Sequence, residues 1–146
     1  MLCHMKKLAI CLLLALGPVC HASITTNNSV DPTCPVRFKS AWIPYTLGLE
    51  KALYIHYFNQ STKRIIGIKF GFDMMDAVGD FTPYPEDLTS NDSVKPSKSG
   101  SASYNIYDDS SDDGLRIYTK KVLFDDGTTW EDDGKMHCSY VDVEKR

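Results

Sequence analysis

Ile66, Ile68, Phe70 and Phe72 recur at every second position, with Lys69, Gly71 and Asp73 between and after them. Successive side chains on an extended strand point to opposite faces, so this spacing gathers four large apolar groups on one side and polar groups on the other. Helical spacing fits the segment worse. The same period returns elsewhere. Val36, Phe38 and Trp42 alternate with Arg37, Lys39 and Ala41, predicting a half-buried strand. Leu53, Ile55 and Tyr57 alternate with Tyr54, His56 and Phe58, a pattern apolar on both faces that suits a central strand. Ala102, Tyr104 and Ile106 form a shorter run, and Cys138 to Val143 is expected to be the closing strand.

One run breaks phase. Leu115 and Ile117 share one parity, whereas Val122 and Phe124 share the other. A bulge near Thr119 to Lys121, or a strand passing between sheets, would bring all four to one interior. Turn signals separate the runs. Asn59 to Lys63 is polar and of hairpin length, Asp76 to Pro85 is turn-rich, and Thr89 to Ser101 reads as loop or weak edge strand. Asp126-Gly127 is a hairpin signal before Thr128-Thr129-Trp130. Six to eight short strands punctuated in this way predict an all-β, antiparallel sandwich.

The first residues have another purpose. Lys6-Lys7 precedes the apolar run Leu8 to Leu16, Gly17-Pro18 breaks it, and Cys20-His21-Ala22 supplies a cleavage site before Ser23. Nine residues at about 1.5 Å each span roughly 14 Å, half a bilayer core, which is too short for a retained membrane helix. Residues 1–22 are therefore expected to be a cleaved secretory signal peptide, leaving no transmembrane segment and a periplasmic or extracellular product. Residues 23–33 read as a flexible leader, and 34–146 as the folded domain. Removing 22 residues from 146, and two lysines from 16 basic side chains, leaves 124 residues with 14 basic and 19 acidic groups, a charge of −5. That balance offers no basic surface for nucleic acid. Only Cys34 and Cys138 survive cleavage, and an even pair in an exported protein predicts a disulfide clamping the two ends of the domain.

Leu53 to Asp80 resembles the central hairpin of FxLYD-type immunoglobulin-like modules of bacterial secreted proteins. It shows an alternating strand, an Asn-x-Ser turn at Asn59, a second strand ending Phe72-Asp73-Met74-Met75-Asp76, and Gly79 following. Met74 and Met75 stand where the family has Leu and Tyr. Val122 to Trp130 is similar to a Phe-x-Asp-Gly-Thr-x-Trp pattern near the C-termini of uncharacterised exported bacterial proteins. The resemblance implies an immunoglobulin-like sandwich and says little about activity, because such sandwiches host many functions.

Candidate chemistry is sparse. Asp109, Ser111 and Asp113, followed by Gly114, copy the first half of a calcium loop, where alternate oxygens surround a hard cation. The twelfth position is Lys120 instead of a bidentate Glu, and the loop leads into a strand. An EF-hand is thereby excluded, leaving a weaker sandwich calcium site or a solvated turn. His56 sits among strand aromatics, and His137 lacks metal-ligand spacing. No nucleophile elbow, phosphate loop or dinucleotide fingerprint occurs. Tyr45, Tyr84, Tyr104, Tyr107, Tyr118 and Trp130 are candidates for a stacking platform. The expectation is a non-catalytic module, requiring no cofactor, that contacts a protein or cell-envelope polymer. Two alternatives remain open. One is a hydrolase pairing carboxylates from the Asp108 to Asp113 turn and the Glu131 to Asp133 loop. The other is a calcium-stabilised glycan-binding sandwich.

Overall fold

Extended backbone supplies every long regular element in a computed structural model that describes residues 24–27, 33–44, 50–107, 114–134, 138 and 140–144. Ten strands lie among these residues: β1 (Ile24–Asn27), β2 (Val36–Trp42), β3 (Glu50–Asn59), β4 (Ile65–Met75), β5 (Phe81–Pro83), β6 (Leu88–Ser90), β7 (Ser99–Tyr107), β8 (Gly114–Phe124), β9 (Thr129–Glu131) and β10 (Tyr140–Glu144). The count exceeds the expected six to eight because β1, β5, β6 and β9 are short additions of three or four residues. The expected signal segment lies outside the described residues. Ile24–Asn27, read above as flexible leader, instead pairs antiparallel with β10, as its β-branched Ile-Thr-Thr sequence favours.

All pairings are antiparallel, and they form two sheets. The small sheet has the order β2-β3-β7, and the large one runs β1-β10-β8-β4-β5, with β6 also on β4 and β9 also on β8. The chain enters the small sheet at β2 and β3, crosses to β4, returns to β7 beside β3, and crosses again to β8 beside β4. This is the Greek-key connectivity of an immunoglobulin-like sandwich. Asn59 to Lys63 is therefore a crossing between sheets and not a hairpin. Asn59 shapes it. Its buried amide Nδ2 donates to the carbonyls of Lys63 (2.8 Å) and Val94 (2.9 Å), and its Oδ1 accepts from the Ser61 amide and hydroxyl.

The interior joins Phe38, Leu53, Ile55 and Tyr57 of the small sheet to Ile68, Phe70, Phe72, Leu115, Ile117, Val122 and Val141 of the large one. Phe70 touches all three strands opposite: its ring centroid lies 5.8 Å from Phe38, 5.7 Å from Tyr57 and 6.5 Å from Tyr104.

Three phase slips adjust the simple alternation. The register of β4 against β8 shifts so that Lys69 faces Lys121 but Phe70 faces Thr119, leaving Lys120 as the extra residue. Leu115, Ile117, Val122 and Phe124 all reach the interior, as a bulge at this place was expected to allow. A second shift between Ile65 and Gly67 buries Ile65 and turns Ile66 outward, contrary to the four-residue run. A third, between Phe38 and Ser40, buries Ala41 and sends Trp42 to the outer face, reversing their expected positions.

Cys34 and Cys138 are bonded, with their Cα atoms 5.1 Å apart and a sequence separation of 104. Both are buried. Closing a loop of this length restricts the unfolded chain by about 4 to 5 kcal/mol in the chain-entropy account, with about 2–5 kcal/mol typical when a native bridge is lost. Reduction and alkylation is expected to lower the unfolding free energy by about 2–5 kcal/mol, read as a lower denaturant midpoint. Phe70→Ala is expected to cost about 3–5 kcal/mol by opening a void between the sheets, against under about 1.5 kcal/mol for exposed Ile66→Ala. Equilibrium urea unfolding checks both.

Candidate functional site

Two outer faces present organised side chains. On the large sheet, Asp73 of β4 and Tyr118 of β8 are direct neighbours of Arg116 and Lys120 along the same pleat. The Tyr118 ring lies across Gly71, where a Cβ would come within 2.6 Å of it, so only glycine admits this ring position. The phenol hydroxyl donates a long hydrogen bond of 3.4 Å to Asp73. Asp73 is buried, and that burial raises its carboxyl above the ordinary value, opposed by Tyr118 and by the positive charges of Arg116 and Lys120. Burial likewise pushes the Tyr118 phenol up, helped by the neighbouring Asp73 charge.

The surrounding cations are already engaged. Lys120 and Lys69 reach Asp87 at 2.7 and 3.4 Å, and the Lys120 hydrogen bond holds Asp87 below its usual range. Arg116 grips Asp142 through two hydrogen bonds of 2.7 and 3.0 Å, with its guanidinium between the rings of Phe81 (3.9 Å) and Tyr140 (4.3 Å). Lys121 pairs with Glu131 at 3.2 Å. A cleft of about 270 Å³ is bounded by Asp73, Tyr118, Lys120, Glu131 and Asp132. The bulge at Lys120 builds this cleft by putting Tyr118, Lys120 and Lys121 on the outward side.

The small sheet carries a different surface. Tyr54, His56 and Phe58 are consecutive outward positions of β3, and the bulge in β2 adds Trp42 opposite Tyr54. Trp42 and Tyr54 stack at 5.3 Å with an 11° angle between planes, and His56 meets Trp42 edge-on at 4.9 Å. Phe58 lies under Arg37 and Lys39, 5.5 and 5.4 Å from its centroid. Along the other flank runs a hydroxyl row from β7. Ser99 faces Phe58, Ser101 faces His56 and Ser103 faces Tyr54. Lys39 spans a shallow depression of about 300 Å³ to donate to Ser99 at 2.7 Å. Among the described side chains of this face the full charges, Arg37 and Lys39, are both positive.

The described members of the expected tyrosine platform do not share one exposed face. Tyr84 stacks on Phe72 at 4.3 Å, Tyr104 packs on Phe70, Trp130 packs against the core, and Tyr118 lines the opposite cleft. Tyr45 and the Tyr107 side chain lie outside the described residues. Asp109, Ser111 and Asp113 also lie outside them, as does His137. Among the described residues no cluster of three or more His, Cys, Asp or Glu side chains is placed to hold a metal ion. Trp42, Tyr54, His56 and Phe58 were the aromatic set to notice. The signal was the Leu53 to Phe58 run, apolar on both faces, in a strand whose outer face meets solvent.

No family model matches the chain, and no curated relative matches it. Solved structures with a similar trace include a hypothetical protein of Peptoclostridium difficile 630, at 11% identity and TM-score 0.45, over 68% of this chain and 87% of that one. Another is a target of the Northeast Structural Genomics Consortium, at 8% identity and TM-score 0.41, over 85% of this chain and 82% of that one.

The burial of Asp73 yields a pH prediction. Its folded carboxyl holds its proton more tightly than the unfolded one, so its contribution to stability is full below the ordinary Asp range and is lost as pH rises through the raised folded value. Asp73→Asn is therefore expected to gain stability relative to the parent at neutral pH, with the gain shrinking as the solution is acidified through the carboxylate range. Urea midpoints of the two proteins at neutral and acidic pH check this.

Proposed function

We propose that the protein is an exported immunoglobulin-like module that works by contact, without catalysis, through the outer face of its small sheet. The observation that carries this is the solvent-facing set Trp42, Tyr54, His56 and Phe58. An outer sheet face normally carries polar side chains, whereas aromatic residues and Arg are enriched in the buried centres of protein interfaces. Export accords with the Cys34–Cys138 bond, since such bonds persist in oxidising compartments. The resemblance of Leu53 to Asp80 to FxLYD-type modules of secreted proteins points the same way. Among the described residues, no helix is long and apolar enough to cross a membrane.

The partner this face suits best is a protein. A sugar ring stacks on an open aromatic face, but Trp42 and Tyr54 cover one another, and Arg37 and Lys39 flank Phe58. The serine hydroxyls and the cationic tips of Arg37 and Lys39 beside these rings suit acidic and polar groups of a protein surface. A hydrolytic reading draws on the cleft beside Asp73, where one desolvated carboxyl shares a boundary with Asp132. Loss of any measured hydrolysis in Asp73→Asn, with the fold retained, would favour it.

Photo-crosslinking residues placed at His56 and at Val78 test the contact reading, Val78 being 82% exposed on the other sheet's connecting turn. In the native envelope or medium, the expected outcome is a discrete adduct at His56 that Val78 does not give. Identical adducts at both positions, or none at His56, would refute it.

A further inference from the structure

A sheet edge exposes unpaired backbone donors and acceptors, and natural proteins blunt it with short strands, charges, prolines or bulges. Most edges here show such devices. β2 carries Arg37, Lys39 and a bulge. β5 and β6 have three residues each, and Pro83 lies within β5. β9 has three residues, including Glu131, and β1 has four.

β7 is the exception. Its sequence SGSASYNIY has nine residues, no charge and no proline. It pairs residue for residue with β3 from Ser99 to Tyr107 without a register shift. Among the described residues no strand pairs with its other side. The inward row ends half covered: Ala102 and Tyr104 pack against the core yet remain partly exposed. A strand laid alongside would satisfy the backbone groups and complete that cover.

We infer that β7 pairs antiparallel with β7 of a second copy of this chain about a two-fold axis. The two three-stranded sheets then join into one of six strands. The strand's chemistry favours its own copy. A two-fold antiparallel contact sets the strand against its own reversed sequence, which is costly for a strand carrying charges of one sign and harmless for a neutral one. Ser99, Ser101, Ser103 and Asn105 form an exposed outward row that is small and able to hydrogen-bond across the junction. This pairing is independent of the contact proposed for the aromatic face. It uses the edge and leaves Trp42, Tyr54 and His56 free.

Sedimentation equilibrium of the purified, disulfide-bonded protein tests it. The expected mass rises from one chain to two with concentration. The amides of β7 are expected to exchange hydrogen more slowly in the concentrated sample. The double variant S101K/S103K, at two exposed positions, sets like charges across the junction and is expected to remain at single-chain mass with an unchanged circular dichroism spectrum. If two lysines disturb the fold, N105K on the same row reads the same edge. A single-chain mass at every concentration overturns the pairing. So does a dimer that survives these variants, or concentration-dependent protection confined to another strand. A monomer that still gives the His56 adduct would reject the pairing alone.

Discussion

Phe70 is the point at which the two sheets become one structure. It stands on β4, which pairs with β5, β6 and β8 in the large sheet, and its ring meets side chains from β2, β3 and β7 together. Two successive strands and a third some 40 residues further along the chain thus share a single apolar contact. Hydrogen bonds hold each sheet internally, but only interior packing fixes one sheet over the other. The disulfide acts at a different level. It joins the chain just before β2 to the chain just before β10, so it ties the entry of the small sheet to the last strand of the large one.

Much of this architecture was legible because its main determinant is local. Burial on one face of a strand enforces period two, and Ile68, Phe70, Phe72, Leu53, Ile55 and Tyr57 all obey it. What escaped were the slips. At β8 the sequence itself contains both halves of the contradiction, Leu115 and Ile117 against Val122 and Phe124, so a bulge could be inferred. At β2 and β4 it does not. Ala41 and Trp42 are both apolar, as are Ile65 and Ile66, so nothing in the residue types says which of the pair turns inward. The partner strand decides, and it lies distant in sequence. The crossing after β3 was missed for a related reason. Asn59 looks like a turn residue, and its role as a buried amide bridging Lys63 and Val94 depends on a loop 35 positions away.

The same ambiguity hid the surface aromatics. A run apolar on both faces suggests a strand covered on both sides, and β3 is indeed central within its sheet. Yet among the described residues that sheet has one neighbour to pack on, and Tyr54, His56 and Phe58 lie on its other face. Of the tyrosines chosen from the sequence, the fold uses Tyr84 and Tyr104 to seal the margins of the core. Tyr and Trp serve either purpose, since each has an apolar body and a polar tip. Sequence position alone does not separate a sealing ring from a displayed one.

The two outer faces are finished in opposite ways, and this contrast is the strongest guide to their roles. On the large sheet the charges close on each other: Arg116 with Asp142, Lys120 and Lys69 with Asp87, Lys121 with Glu131. The more exposed lysine pairs are worth about 0–1 kcal/mol each, so they neither hold the fold nor leave a field directed outward. The small sheet spends its outer positions on rings, hydroxyls and two cations without a described carboxylate partner on that face. Its lateral limit, β7, is long and lacks the charge, proline, bulge or shortness that protects the other edges. Surface aromatics and an unguarded edge each carry an aggregation hazard, and their placement on one sheet is intelligible if that side of the molecule is covered in its working state.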